Sequence, residues 1–220
     1  MDATGFLREL EQLKDDRLRA LVAGGHGSVA AAPDPEGGSQ VRLLQIALAN
    51  EISVSELAAA WMPSTPELDI KIALARQAGD EARHFQLVED RLKGLGFDPK
   101  SFTPPASNPL FDYLRALQGS VARVAAGLFT LESIAYGVNE SFMRLCAERG
   151  DLETVRLYRD FIQPDERAHQ QLGAHLLKTH ATTSDLQAQA RAAILKMIEI
   201  AAALRAGAAA RLGTASFPGC

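Results

Sequence analysis

The sequence predicts an all-α chain: four long helices in a four-helix bundle of two helical hairpins joined by a long crossover, with an extra helix at each end. Three observations point there. Ala and Leu are abundant, runs of β-branched or aromatic residues are scarce, and no stretch alternates apolar and polar residues for long. Apolar residues recur instead at the three- and four-residue spacing of one helix face. Gly and Pro gather in a few clusters that cut the chain into helix-length pieces.

Each element follows in order. Residues 5–23 read as an amphipathic helix with Phe6, Leu7, Leu10, Leu13, Leu18 and Leu21 on its apolar side. "GGHGSVAAAPDPEGGSQ" (24–40) is a linker by its Gly and Pro content. The first long helix spans about 40–62. "MPSTPE" (62–67) stops it at Pro63 and offers Thr65 as N-cap of the next helix, with Pro66 at the first helical position. That second helix runs to about 94. The Pro-rich stretch 98–109 is long enough to cross the end of a bundle. A third helix spans about 109–149, with a bend expected near Gly119 or Gly127. A fourth spans about 151–179, with a kink expected at Pro164. Ser184 or Asp185 opens a last helix to about 212, and "GTASFPGC" reads as a loose tail ending in Cys220. The chain thus divides into 1–39 (N-terminal helix and linker), 40–180 (bundle) and 181–220 (C-terminal helix and tail).

The 220 residues suit one sizeable domain, with 47% hydrophobic and 23% charged residues. A net charge of −4 without a basic patch speaks against nucleic acid as a partner. No apolar run near 20 residues and no basic-then-apolar start are seen, so neither a membrane span nor a signal peptide is expected. Two distant cysteines, Cys146 and Cys220, give no disulfide framework, and a reducing cytoplasm is the expected location.

The chemistry lies in a repeated motif. "DEARH" (80–84) and "DERAH" (165–169) both read Asp-Glu-x-x-His. With 14 Glu, 13 Asp and 5 His in the chain, composition alone gives roughly 0.02 such motifs by chance, so two are expected about once in several thousand sequences. Residues i and i+3 are neighbours on one helix face, so Glu81 with His84, and Glu166 with His169, can each reach one metal ion. A two-metal site in a helix bundle needs one further Glu from each of the other two helices. Depth selects them, at about 1.5 Å per residue. Glu51 stands before the first hairpin turn nearly as far as Glu81 stands beyond it, and Glu132 matches Glu166 across the second. Glu56 and Glu140 are too shallow. Ala47 and Leu128, one turn before Glu51 and Glu132, place both carboxylates on apolar stripes. Unpaired buried carboxylates cost several kcal/mol each, so four of them at one depth require neutralising cations.

This set resembles the di-iron carboxylate proteins of the ferritin-like superfamily, over residues 40–180. The first copy is similar to the Asp-Glu-x-Arg-His signature of bacterial multicomponent monooxygenases; in the second, Arg stands at 167 instead of 168. By size the chain is closer to rubrerythrin-like proteins and small di-iron hydroxylases. The resemblance implies that Glu51, Glu81, His84, Glu132, Glu166 and His169 bind two Fe ions, with Glu81 and Glu166 as bridges. It implies that Asp80 and Asp165 orient the His rings. Oxygen and nitrogen donors without thiolate favour Fe, with Mn or a mixed Mn/Fe pair as alternatives, over structural Zn.

The implied function is a di-iron-dependent oxidoreductase that activates O2 to oxidise or hydroxylate a small organic substrate, with the four cluster glutamates as its catalytic carboxylates. Its electrons come from an external donor or reductase, since no Cys cluster is present to hold one. Its pocket would be lined by Ala47, Leu48, Leu128 and Phe129. The alternatives are a ferritin- or rubrerythrin-like iron-binding, ferroxidase or peroxide-scavenging protein, and a bundle that keeps its polar core without redox metal. Tyr136, one turn after Glu132, either serves the site by hydrogen bonding or redox chemistry or packs as a core aromatic. Arg83 and Arg167 either pair with Asp80 and Asp165 or face solvent. His175 and His180 are expected at the surface and His26 has no assigned role. Trp61 is expected to pack at the hairpin end. The Ala-rich last helix is expected to be a close-packing element or a homodimer face.

Overall fold

Long helices carry the fold in the computed structural model, which describes residues 2–23, 38–105 and 108–219. Residues 24–37 of the expected linker, with His26, and the terminal Cys220 fall outside those residues, while 38–40, expected in the linker, begin a helix. Among the described residues all regular structure is helical.

The elements are α1 (Ala3–Ala23), α2 (Gly38–Trp61), α3 (Leu68–Gly94) and the short α4 (Pro109–Ala116). α5 (Ser120–Glu148) joins Ser120–Val124, a π-helical segment Ala125–Leu131 and Glu132–Glu148. α6 joins Leu152–Leu157, a second π segment Tyr158–Ile162 and Gln163–His180, and α7 spans Ser184–Leu212. Side-chain caps explain several starts. Asn108 accepts from Leu110 N with Pro109 in the first turn, Asp151 accepts from Thr154 N, and Thr183 accepts from Leu186 N. α7 stops at Gly213, whose φ of 69° is left-handed.

Two local expectations need correction, at Thr65 and in the third helix. Thr65 does not cap α3: Met62–Ser64 form a 3-10 turn, Thr65 donates its hydroxyl back to Trp61 O, and Glu67 holds the N-cap position. The helix expected over 109–149 is cut after Ala116, because Gly119 adopts a φ of 81° that an L side chain resists. At Pro164 the helix continues. The missing N–H falls in the first turn after the π segment, where the backbone has already changed its bonding pattern.

α2 and α3 form one antiparallel hairpin and α5 and α6 the other. Links between the hairpins run down their whole length. Arg91 near the end of α3 pairs with Asp151 and Glu153 at the start of α6, and His180 at the end of α6 pairs with Asp69 at the start of α3. Gln40 of α2 donates to Cys146 Sγ near the end of α5, while Trp61 lies against Gly127 near its beginning. α2 and α5 are therefore antiparallel neighbours. Gly173 lets α6 approach α5 closely: a Cβ there would lie 2.7 Å from Phe129 N.

The terminal helices pack on the second hairpin. From α1, Phe6, Leu10 and Leu18 are buried and Lys14 is drawn in with them, donating to Ser133 and lying 4.6 Å from the Phe129 ring. Burial lowers the Lys14 pKa. Arg191 of α7 holds Glu9 of α1 through both carboxylate oxygens. The tail after Gly213 is not loose. Arg205 donates to the carbonyls of Ala215, Phe217 and Gly219, its guanidinium sits 4.0 Å from the Phe217 ring, and Gly219 N donates to Asn139.

The apolar core is split in two. One part holds the end of α2, the start of α3, the start of α5 and the end of α6, with α1, α4 and α7. The other holds the opposite ends of the same four helices with Phe217. Between them lies a buried polar layer containing Glu51, Glu81, His84, Glu132, Glu166 and His169. Two helical stretches, Gln40–Ser64 and Ser120–Glu148, are long and apolar enough to span a membrane, where the sequence reading expected none. In the second, 89% of the apolar window is buried within the chain itself, and 50% in the first.

Candidate metal centre

Four helices each deliver one part of the buried layer. Glu51 comes from α2, Glu81 and His84 from α3, Glu132 from α5, and Glu166 and His169 from α6. None of the six is more than 5% exposed. They fall into two overlapping groups whose donor atoms lie within 4.8 Å of one another: Glu51, Glu81, His84 and Glu166, and Glu81, Glu132, Glu166 and His169. Glu81 and Glu166 belong to both. Each group can hold one metal ion, and the shared carboxylates are those able to reach two.

The imidazoles are turned toward the layer by the aspartates of the motifs, in a crossed arrangement. His84 Nε2 donates to Asp165 Oδ2 at 3.1 Å, and His169 Nε2 donates to Asp80 Oδ2 at 3.0 Å. Each motif's Asp thus orients the His of the other motif. This leaves Nδ1 of both rings facing the carboxylates. His84 Nδ1 lies 3.3 Å from Glu81 and 3.4 Å from Glu51; His169 Nδ1 lies 3.3 Å from Glu81 and 3.9 Å from Glu132. Arg83 pairs with Asp165 at 2.8 Å, across the helices, while Arg167 is exposed. Gln77, one turn before Glu81, is buried and donates to Glu132.

Without cations, protons neutralise this layer. Burial pushes Glu51 up to about 7, against the opposing hydrogen bond from His84. Burial, with the charge of Glu81, pushes Glu132 up to about 8. Glu166 is raised well above the usual carboxylate range by burial and by Glu132 and Glu81. Burial also works on Glu81, but both imidazoles outweigh it and hold that carboxyl below its usual value. Burial works against charge on the rings, yet the facing carboxylates raise His84 to about 12 and His169 to about 9. Three buried atoms, Glu81 Oε1, Glu166 Oε2 and His169 Nδ1, make no well-aligned hydrogen bond among the described residues, although Glu81 Oε1 and His169 Nδ1 face each other at 3.3 Å. Orphaned acceptors and a ring nitrogen aimed into one layer of oxygen and nitrogen donors fit divalent first-row cations.

Comparison of the chain with protein-family models, curated proteins and solved structures returns no match. The reading of this centre therefore rests on its own geometry.

The structure brings all six predicted residues together, with Glu56 exposed outside the layer and Glu140 accepting from Gln163. Tyr136 is half-buried, and its backbone carbonyl accepts from Gln163. The buried phenol is Tyr158, fully enclosed, edge-on to Phe142, its hydroxyl without a hydrogen-bond partner among the described residues. Burial raises its pKa, as do the nearby charges of Glu51, Cys146 and Glu166. It stands eight residues before Glu166, two helical turns with a π segment between. In a regular helix that spacing turns the side chain about 80° away from the Glu166 face, so the sequence pattern carries no signal for it. The pocket expected at Ala47, Leu48, Leu128 and Phe129 is absent from both described cavities, because those side chains are packed into the two cores. The layer instead borders a cavity of about 20 Å³ formed with Asn50, Val54, Leu131, Ala135 and Gly219.

Proposed function

We propose that the chain is a ferritin-like four-helix bundle whose buried layer holds two iron ions, and that it is an oxidoreductase acting with O2 on an organic substrate. The observation that carries this reading is the pair of overlapping donor groups sharing Glu81 and Glu166. Iron held there would supply reductive activation of dioxygen.

The chain's own residues do the rest. Asp165 and Asp80 hold the Nε2–H of His84 and His169, so Nδ1 of each ring is the free donor. Gln77 steadies Glu132 from one side. Val54, Leu131 and Ala135 keep bulk water from the carboxylates, which strengthens every charge interaction inside. Electrons come from a partner protein, since no thiolate cluster lies among the described residues. Action on a substrate is favoured over storage by a second, larger cavity of about 390 Å³, which shares Asn50 with the small one and so borders the residue next to Glu51.

Metal analysis and oxygen uptake test the reading. Protein produced in iron-rich medium should carry about two Fe per chain, and the reduced, loaded protein should consume O2. Glu81→Ala and Glu166→Ala should each abolish uptake. Less than one Fe or Mn per chain, or loaded protein inert to O2, would overturn it.

A further inference from the structure

We propose that the 390 Å³ cavity binds an amphiphile with an oxyanion head, a carboxylate or phosphate on an apolar body, and that this is the substrate class of the neighbouring metal layer. Its binding claim stands on the cavity alone; its catalytic meaning rests on the oxidoreductase reading.

The cavity lies between α2, α7, the crossover segment and the folded-back tail. Its walls are mainly apolar, including Ile46, Ala49, Phe102, Leu204, Leu212 and Phe217. Its charge is one-sided. Three arginines line it and no Asp or Glu does, in a chain that carries 27 acidic and 23 basic residues. Arg205 is buried and committed to the tail carbonyls. Arg42 and Arg211 are exposed, and neither forms an ion pair or hydrogen bond among the described residues. Arg83, Arg91 and Arg191, by contrast, are each held by a carboxylate. Two uncommitted guanidinium forks at the mouth of an apolar cavity match a planar or tetrahedral oxyanion.

Burial sets the ligand's direction. Arg42 and Arg211 are at the solvent end, while Asn50 and Phe217 are buried at the inner end. Arg42, Ile46, Ala49 and Ser53 lie along one stripe of α2, and Arg42 to Asn50 spans about 12 Å of helix. An apolar chain entering from the arginines therefore ends at Asn50, which also lines the small cavity over Glu51, Glu81, Glu132 and Glu166. The reactive position would be far from the charged head, on the apolar body.

Calorimetric titration of the full chain, freed of metal, tests this with decanoate, decyl phosphate and decanol as probes below their micelle concentrations. One oxyanion should bind at one per chain and tighter than decanol, and whichever binds tighter names the head group. Arg42→Ala with Arg211→Ala should weaken that binding by about tenfold or more and leave decanol unchanged. Ile46→Trp, which fills the cavity, should abolish both while the helical signal is kept. The proposal is overturned if no probe binds, if decanol binds as tightly as the anions, or if the arginine variants bind normally. None of these readouts uses oxygen chemistry. Inert loaded protein with normal anion binding would remove the oxidoreductase reading and leave the site.

Discussion

His84 and His169 carry protons that an incoming cation must displace, since their facing carboxylates raise them to about 12 and about 9. Protonated Glu51, Glu132 and Glu166 add to that competition. Metal affinity should therefore rise with pH between 6 and 9, and uptake should release protons. Titration in buffers of different ionisation enthalpy reads both, and pH-independent affinity would refute the scheme. The orienting aspartates make a second expectation. Asp165→Asn should lower metal affinity roughly 10–100-fold, with Asp80→Asn acting alike, measured by competition with a chelator. Both replacements keep the fold, because Asp80 and Asp165 are only partly buried. At this scale the six metal-capable residues were legible from spacing and depth, since helix geometry is regular. Gln77, Tyr158 and the crossing of Asp80 to His169 were not singled out. Their roles depend on which side chain faces them from another helix, and periodicity along one helix carries no such information.

The two π segments set the elements' behaviour near the centre. Ala125–Leu131 ends immediately before Glu132, and Tyr158–Ile162 ends four residues before Glu166. Such segments re-aim the side chains that follow them. The helix existence and antiparallel pairing were legible in the Gly and Pro clusters. The wider turns were not: around the first of them every residue from 120 to 135 is buried, so the sequence there has no polar face against which a phase shift could be read. Where α6 crosses the first π segment, Gly173 sets the spacing: an added Cβ would meet Phe129 N at 2.7 Å and Leu128 C at 2.8 Å, both backbone atoms. Gly173→Ala should lower stability by about 1–3 kcal/mol despite its better helix propensity. Gly79→Ala, with nothing within 4 Å of the new atom, should raise stability by roughly 0.5–1 kcal/mol. Denaturant midpoints of the two variants compare them directly. A neutral Gly173→Ala would mean that the helices separate freely there.

Over the whole molecule, the split core makes stability depend on what neutralises the middle layer. Glu51 and Glu132 have folded-state values near 7 and 8, above the ordinary carboxylate value, so their protonated burial supports the fold at low pH. That support is lost as pH rises through 7 and 8, and that of His169 near 9. Glu81, shifted the other way, has given its full contribution before pH 6. The metal-free chain should thus lose stability steadily from pH 6 to 9, read as a falling Tm. The metal-loaded chain should show little of this slope, because cations replace the protons. Calorimetry of both forms decides it, and a flat or rising curve for the metal-free chain would exclude the protonation scheme. The crossed contacts also bear on ancestry. Each hairpin supplies one glutamate and one Asp-Glu-x-x-His, and the carboxylate that orients each ring comes from the opposite hairpin. A half-length chain made of one hairpin could build the entire centre by isologous association with a second copy of itself, and fusing the two genes would give a molecule of this design.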